Sequence, residues 1–117
     1  TDNTGDGIAV LSRCHVLNNL CVGNGVGAGV GAGIHVLASN NRVDGNHCQR
    51  GDRGIYVDFG GNVIIRNTCS GATTNNWDVA AGNVCLVVVA TATPAPFIGN
   101  FGGTAPGSTD RYVNFTY

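Results

Sequence analysis

Apolar residues alternate with polar or small ones in short bursts that recur down the chain: Ile8 and Val10, Ile34 and Val36, Ile55 and Val57. Each burst is followed by a second apolar point, at Val16, Val43 or Ile64, and then by a third, at Cys21, Cys48 or Cys69. Alternation with a period of two among β-branched residues predicts short half-buried strands, and no segment carries a stripe of helical spacing. Turn formers separate the bursts, as Ser39-Asn40-Asn41, Asp44-Gly45-Asn46, Gly60-Gly61-Asn62 and Gly71. Each unit therefore reads as about three strands joined by tight bends.

The units are copies of one another. Gly7-Ile8-Ala9-Val10 with Asn19-Leu20-Cys21 returns as Gly33-Ile34-His35-Val36 with Asn46-His47-Cys48, and again as Gly54-Ile55-Tyr56-Val57 with Asn67-Thr68-Cys69. In the last two copies Gly33 and Gly54, Asn46 and Asn67, and Cys48 and Cys69 are each 21 residues apart. A repeat of this length is one supersecondary unit stacked on itself. The expected fold is all-β, a parallel β-helix (β-solenoid) of about four to five coils with like residues roughly 4.8 Å apart. Its inward ladders are Ile8/Ile34/Ile55, Val10/Val36/Val57, Val16/Val43/Ile64 and Cys21/Cys48/Cys69. Asn19, Asn46 and Asn67 fall at a bend, where stacked amides satisfy backbone groups that the corner leaves unpaired. A degraded fourth copy, Asn76-Trp77-Asp78-Val79 to Gly82-Asn83, puts Trp77 where Ile55 stood, as an aromatic plug for the core. Coils are expected over residues 1–90, and a C-terminal strand or loop over 91–117 that caps the stack or serves assembly, through Tyr112, Phe115 and Tyr117.

The Gly-Ile-x-Val and Asn-x-Cys pattern resembles the right-handed parallel β-helix repeat of the pectate-lyase-like superfamily. The stretches Asn62 to Thr68, Asn76 to Asn83 and Asp110 to Tyr117 resemble the C-terminal part of secreted bacterial β-helix repeat proteins, which largely lack an assigned role. The resemblance implies a right-handed coil and, for enzymes of that superfamily, a site on the outer face of one strand column. That face would carry His35, Tyr56 and Asp78, with Asp58 two places along from Tyr56. An aromatic beside an imidazole and two carboxylates suits sugar binding or general acid–base work on a polysaccharide. A lyase of the family would also need a basic residue beside a carboxylate cage for Ca²⁺, and Asp58 and Asp78 fall short of such a cage.

At 117 residues the chain is one domain, with 19 glycines, every acid an Asp and every base an Arg. Its net charge of −1 gives no footprint for nucleic acid or an anionic membrane, so neither partner is expected. No apolar run is long enough to span a bilayer, and membrane insertion is not expected. A surface of Asn, Thr, Ser and Gly suits hydrogen bonding to sugars or to other copies of the chain. The opening Thr1 to Asp6 reads as the tail of a preceding coil, which points to a processed or truncated secreted product whose leader lies elsewhere.

The five cysteines invite disulfide and zinc readings. A parallel column holds Cβ atoms near 4.8 Å, outside the usual window for a bridge, and does not converge for tetrahedral zinc. No metal or other cofactor is expected, and the column reads as small buried hydrophobes, with Cys14 and Cys85 the better candidates for a bridge. Arg50, Asp52 and Arg53 read as surface ion pairs in the bend before the third unit. Gly23 to Gly33 lacks the Lys-Ser/Thr ending of a phosphate loop and reads as a flexible bulge. Asn114-Phe115-Thr116 fits a glycosylation sequon.

Two functions from different classes follow. The first is an extracellular structural or adhesive β-solenoid that self-associates head to tail through an open N-terminal coil and its C-terminal strand. The second is a carbohydrate-binding or polysaccharide-degrading module using His35, Tyr56, Asp58 and Asp78.

Overall fold

The three apolar points of each repeat become three strands per turn. A computed structural model describes residues 4–25, 31–85, 87–89, 97–99 and 112–116. Turn one comprises β1 (Ile8–Val10), β2 (His15–Leu17) and β3 (Leu20–Val22). Turn two comprises β4 (Ala32–Val36), β5 (Arg42–Asp44) and β6 (His47–Gln49), and turn three β7 (Arg53–Val57), β8 (Val63–Ile65) and β9 (Thr68–Ser70). The chain continues through β10 (Asn75–Val79), β11 (Val84–Cys85), β12 (Val87–Val89), β13 (Phe97–Gly99) and β14 (Asn114–Thr116). Among the described residues there is no helix.

Equivalent strands pair in parallel and in register, making sheets of order β1-β4-β7-β10-β13, β2-β5-β8-β11 and β3-β6-β9-β14-β12. Ile8 lies against Ile34 and Ile34 against Ile55, and Val16, Val43 and Ile64 follow suit, as do Cys21, Cys48 and Cys69. The inward ladders of the sequence reading are the core of the molecule, with Trp77 over Ile55 as the largest buried side chain. About three complete turns are formed, fewer than the four to five expected, because the fourth turn does not complete its third side in chain order.

That third side is filled from far along the chain. β14 inserts between β9 and β12, so that Phe115 pairs with Thr68, and Thr116 with Cys69, on one edge, while Val87 pairs with Asn114 on the other. The C-terminal strand is therefore a rung inside its own solenoid. Most of the expected cap at 91–117, Tyr117 included, lies outside the described residues, as do residues 26–30 of the glycine-rich bulge.

The corners share one device: a left-handed residue just before the residue that stacks. At the first corner these are Arg13, Asn40, Gly61 and Gly82, and at the second Asn18, Gly45 and Arg66. Short polar residues and glycine take this conformation at little cost, whereas arginine takes it at a cost on the order of 1 kcal/mol. After the second corner, the Asn19 N–H donates to Oδ1 of Asn46 (2.9 Å), Asn46 to Asn67 (2.9 Å) and Asn67 to Asn114 (3.0 Å). The expected asparagine ladder thus gains a fourth member from β14. A second ladder, which the sequence reading left among the turn formers, runs down the first corner. There the N–H groups of Cys14, Asn41 and Asn62 donate to Oδ1 of Asn41, Asn62 and Asn83, each at 2.9 Å.

The cysteines are all free thiols. The hydrogen bond between Cys21 and Cys48 is the main cause, with burial behind it, of the raised pKa at Cys21, and burial pushes Cys85 up to about 12. The expectation of a Cys14–Cys85 bridge is corrected. Cys14 precedes β2 on turn one and Cys85 lies on turn four, three strand spacings or roughly 14 Å away, too far for a disulfide. Asn114 of the sequon is fully buried within the ladder, so the folded chain offers no acceptor there.

Candidate functional site: a polar cluster on the outer face of the first sheet

Register places Ala9, His35, Tyr56 and Asp78 in one outward column on β1, β4, β7 and β10. His35 stacks on Tyr56 with ring centroids 4.5 Å apart and planes 11° from parallel. This is the spacing of adjacent strands expressed through two rings that both stand off the sheet. Asp58, just past the end of β7, turns back so that its Oδ2 is 3.0 Å from Nε2 of His35. The four residues expected to cluster do so.

Two further residues complete the group. Asp6 reaches Nδ1 of His35 at 2.9 Å through one carboxylate oxygen and accepts the Ala32 N–H at 2.7 Å through the other. Arg53 lies with its guanidinium carbon 4.9 Å from the centre of the Tyr56 ring. Its Nε donates to Asp78 (3.2 Å) and its Nη1 to Asp52 (3.0 Å), and Asp52 also accepts from the Thr74 hydroxyl. The expected ion pair between Arg53 and Asp52 forms, but its place is corrected: Arg53 begins β7 instead of lying in a bend, and its side chain is only 19% exposed. Gly54 and Ile55 both turn inward, and this break in alternation aims Arg53 outward. A Cβ on Gly54 would sit 2.3 Å from the Asn76 carbonyl and 2.9 Å from Cys69 Sγ, so the first residue of each Gly-Ile-x-Val motif has no room for a side chain. Arg50 sits apart at the third corner in the left-handed region.

The chemistry of this cluster is that of a closed network. Both ring nitrogens of His35 lie within hydrogen-bond distance of a carboxylate, so each is already engaged inside the chain. The Tyr56 hydroxyl is raised in pKa chiefly by its hydrogen bond to Asp58. His35 lies on one face of the Tyr56 ring and Arg53 over the ring as well, so the platform on which a sugar would stack is already occupied. The bonds run from turn to turn: Asp6 before β1, His35 on β4, Asp58 after β7, and Arg53 across to Asp78 on β10. His35→Ala is expected to cost about 2 kcal/mol in urea unfolding, from the lost contacts to Asp6 and Asp58 and a ring stack. A change below about 0.5 kcal/mol would show that the clasp carries no load.

A second ionic group straps the other side of the stack. Asp44 on β5 accepts from Nε of Arg66 at 2.8 Å and from Arg42 at 3.1 Å. The Asp44 carboxyl is held below the usual range, chiefly by the Arg66 hydrogen bond with Arg42 adding to it, while burial pushes the other way. A carboxyl with a lower pKa in the folded chain contributes fully above its unfolded value near 4 and loses that contribution as pH falls through the folded value. Stability is therefore expected to fall on acidification below about pH 4, and Asp44→Asn to flatten that part of the profile. Identical acid limbs for the two proteins, measured by urea midpoints, would contradict this assignment.

Among the described residues no group of three or more His, Cys or Asp side chains is arranged to hold a metal ion, and no helix is long and apolar enough to cross a membrane. The fold and its outer clasp define a β-solenoid repeat protein. No protein-family model, curated protein or solved structure matches the chain.

Proposed function

We propose that this chain is a structural module, a secreted β-solenoid that stacks end to end on further copies of itself. The supporting observation is the state of turn one. Among the described residues β1, β2 and β3 are the terminal strands of all three sheets, and their free edges point out of the same end. Arg42 N–H donates to the Cys14 carbonyl and His47 N–H to the Asn19 carbonyl. By the same register, His15 and Leu20 one turn earlier aim their N–H groups out of that end. Ile8 and Val10 there are only partly covered, and Leu11, Leu17 and Leu20 are exposed on the same turn. A flat set of strand edges with apolar residues around it favours strand addition. A head-to-tail contact of this kind propagates when its rotation does not close.

β14 takes part in this reading as a rung that completes the stack, with Tyr112 and Phe115 about two-fifths exposed on the outside. The resemblance to pectate-lyase-like β-helices enters as support for a right-handed coil. The closed pairing of His35, Tyr56, Asp58 and Asp78 favours a supporting role for that column over carbohydrate chemistry. Electron microscopy of the purified chain at rising concentration is expected to show unbranched fibres. Leu20→Pro removes an outward N–H and one exposed leucine side chain on an edge strand, a position that tolerates proline, and is expected to leave a folded monomer without fibres. Monomers alone for the unsubstituted chain, or fibres undiminished by Leu20→Pro, would overturn the proposal.

A further inference from the structure

β14 is the one described strand that stands out of chain order, and it is held as a bound peptide would be. Its slot lies between β9 and β12 and is lined by residues distant in sequence. The Phe115 N–H donates to the Asn67 carbonyl at 2.8 Å, and Nδ2 of Asn114 donates to the Ile64 carbonyl at 2.8 Å. Nδ2 of Asn76 donates to Oγ1 of Thr116 at 2.6 Å, and the Arg66 guanidinium lies 5.7 Å from the centre of the Tyr112 ring. Val113, Asn114 and Thr116 are buried, and Phe115 between them faces out. The slot thus reads a sequence: an aromatic, an apolar residue, an asparagine that joins the ladder, a free position and a threonine.

Residues 100–113 separate β13 from β14. Fully extended, that length of chain spans roughly 46–50 Å, against a longest molecular dimension of 35 Å. A second copy can therefore present its own β14 to the same slot. We propose that the gap between β9 and β12 is a strand-acceptor site that takes the 112–116 segment from its own chain or from a second copy, so that copies join by exchanging C-terminal strands. This exchange is separate from end-to-end stacking, which uses β1, β2 and β3.

The test uses full-length chains carrying Leu20→Pro, so that end-to-end contacts are blocked. One half is labelled at the N-terminus with a fluorescence donor, the other with an acceptor, and the two are refolded together from urea at low and high protein concentration. Dimers or larger species with energy transfer are expected at high concentration, falling at least tenfold when both halves also carry Asn114→Ala. In parallel, a fluorescein-labelled synthetic peptide of residues 111–117 is added to the refolding Asn114→Ala chain. It is expected to be retained at least tenfold more tightly than the same peptide with alanine in place of the asparagine. Should the Asn114→Ala chain fail to fold, the unsubstituted β14 in the Leu20→Pro background decides the matter alone. Energy transfer absent at every concentration, or peptide uptake indifferent to the asparagine, overturns the proposal.

Discussion

Asn67→Ala is expected to lower the free energy of unfolding by about 3–5 kcal/mol, a large share of the stability of a domain this size. Asn67 is fully buried, and its Oδ1 accepts from both the backbone N–H (2.9 Å) and Nδ2 (3.0 Å) of Asn46. Its own Nδ2 donates to the Val43 carbonyl and to Oδ1 of Asn114, each at 2.9 Å. Alanine leaves the buried Asn46 N–H without its acceptor, at about 1–3 kcal/mol, opens a cavity where the amide stood, and strips one donor each from the Val43 carbonyl and Oδ1 of Asn114. Cooperative strengthening along the ladder adds to that loss. Asn19 is the first member of the same ladder among the described residues, and its side chain is partly exposed. Asn19→Ala is accordingly expected to cost under about 1 kcal/mol. Urea midpoints at unchanged slope measure both; equal losses at the two positions would remove the ladder from the account.

The second large effect is expected at Trp77. Its side chain is completely buried over Ile55, and Trp77→Ala should cost about 3–5 kcal/mol through lost contact and a residual cavity. The indole Nε1–H is buried and has no hydrogen-bond partner among the described residues. Trp77→Phe keeps most of the aromatic volume and deletes that unpaired donor, so its cost should stay below about 1.5 kcal/mol. A phenylalanine variant as unstable as the alanine one, in thermal and urea unfolding alike, would mean that the donor is paired after all.

The architecture was legible because the repeat is written in residue types with a clear preference for one side of a strand. Ile34 and Ile55, Val36 and Val57, and Cys48 and Cys69 pair as their 21-residue spacing requires. The same spacing relates Asn41, Asn62 and Asn83, yet amid glycines and serines those asparagines read as turn formers, and their stacking shows only in the structure. The slot of β14 was not legible. Chain order puts β12 next to β9, whereas β14 stands between them. A trace existed in the Asn-x pattern shared by Asn67-Thr68 and Asn114-Phe115.

The outer cluster was legible in its centre and missed at its rim. His35, Tyr56 and Asp78 follow from strict alternation and Asp58 from its offset. Arg53 does not, since two consecutive inward residues at Gly54 and Ile55 shift the phase by one. Asp6 lies before the first strand, where no alternation places it, and only its bonds to His35 and Ala32 reveal its part.

Nuclear Overhauser contacts in the isotopically labelled chain probe the stacking itself, since protons on neighbouring turns lie within reach of one another while their residues are far apart in sequence. Cross-peaks are expected from Cys48 to Cys69, and from the Asn67 side-chain amide both to Asn46 and to Asn114. Their absence, with Asn67 instead seeing residues of its own turn only, would contradict a pile of in-register turns closed by the chain's last strand.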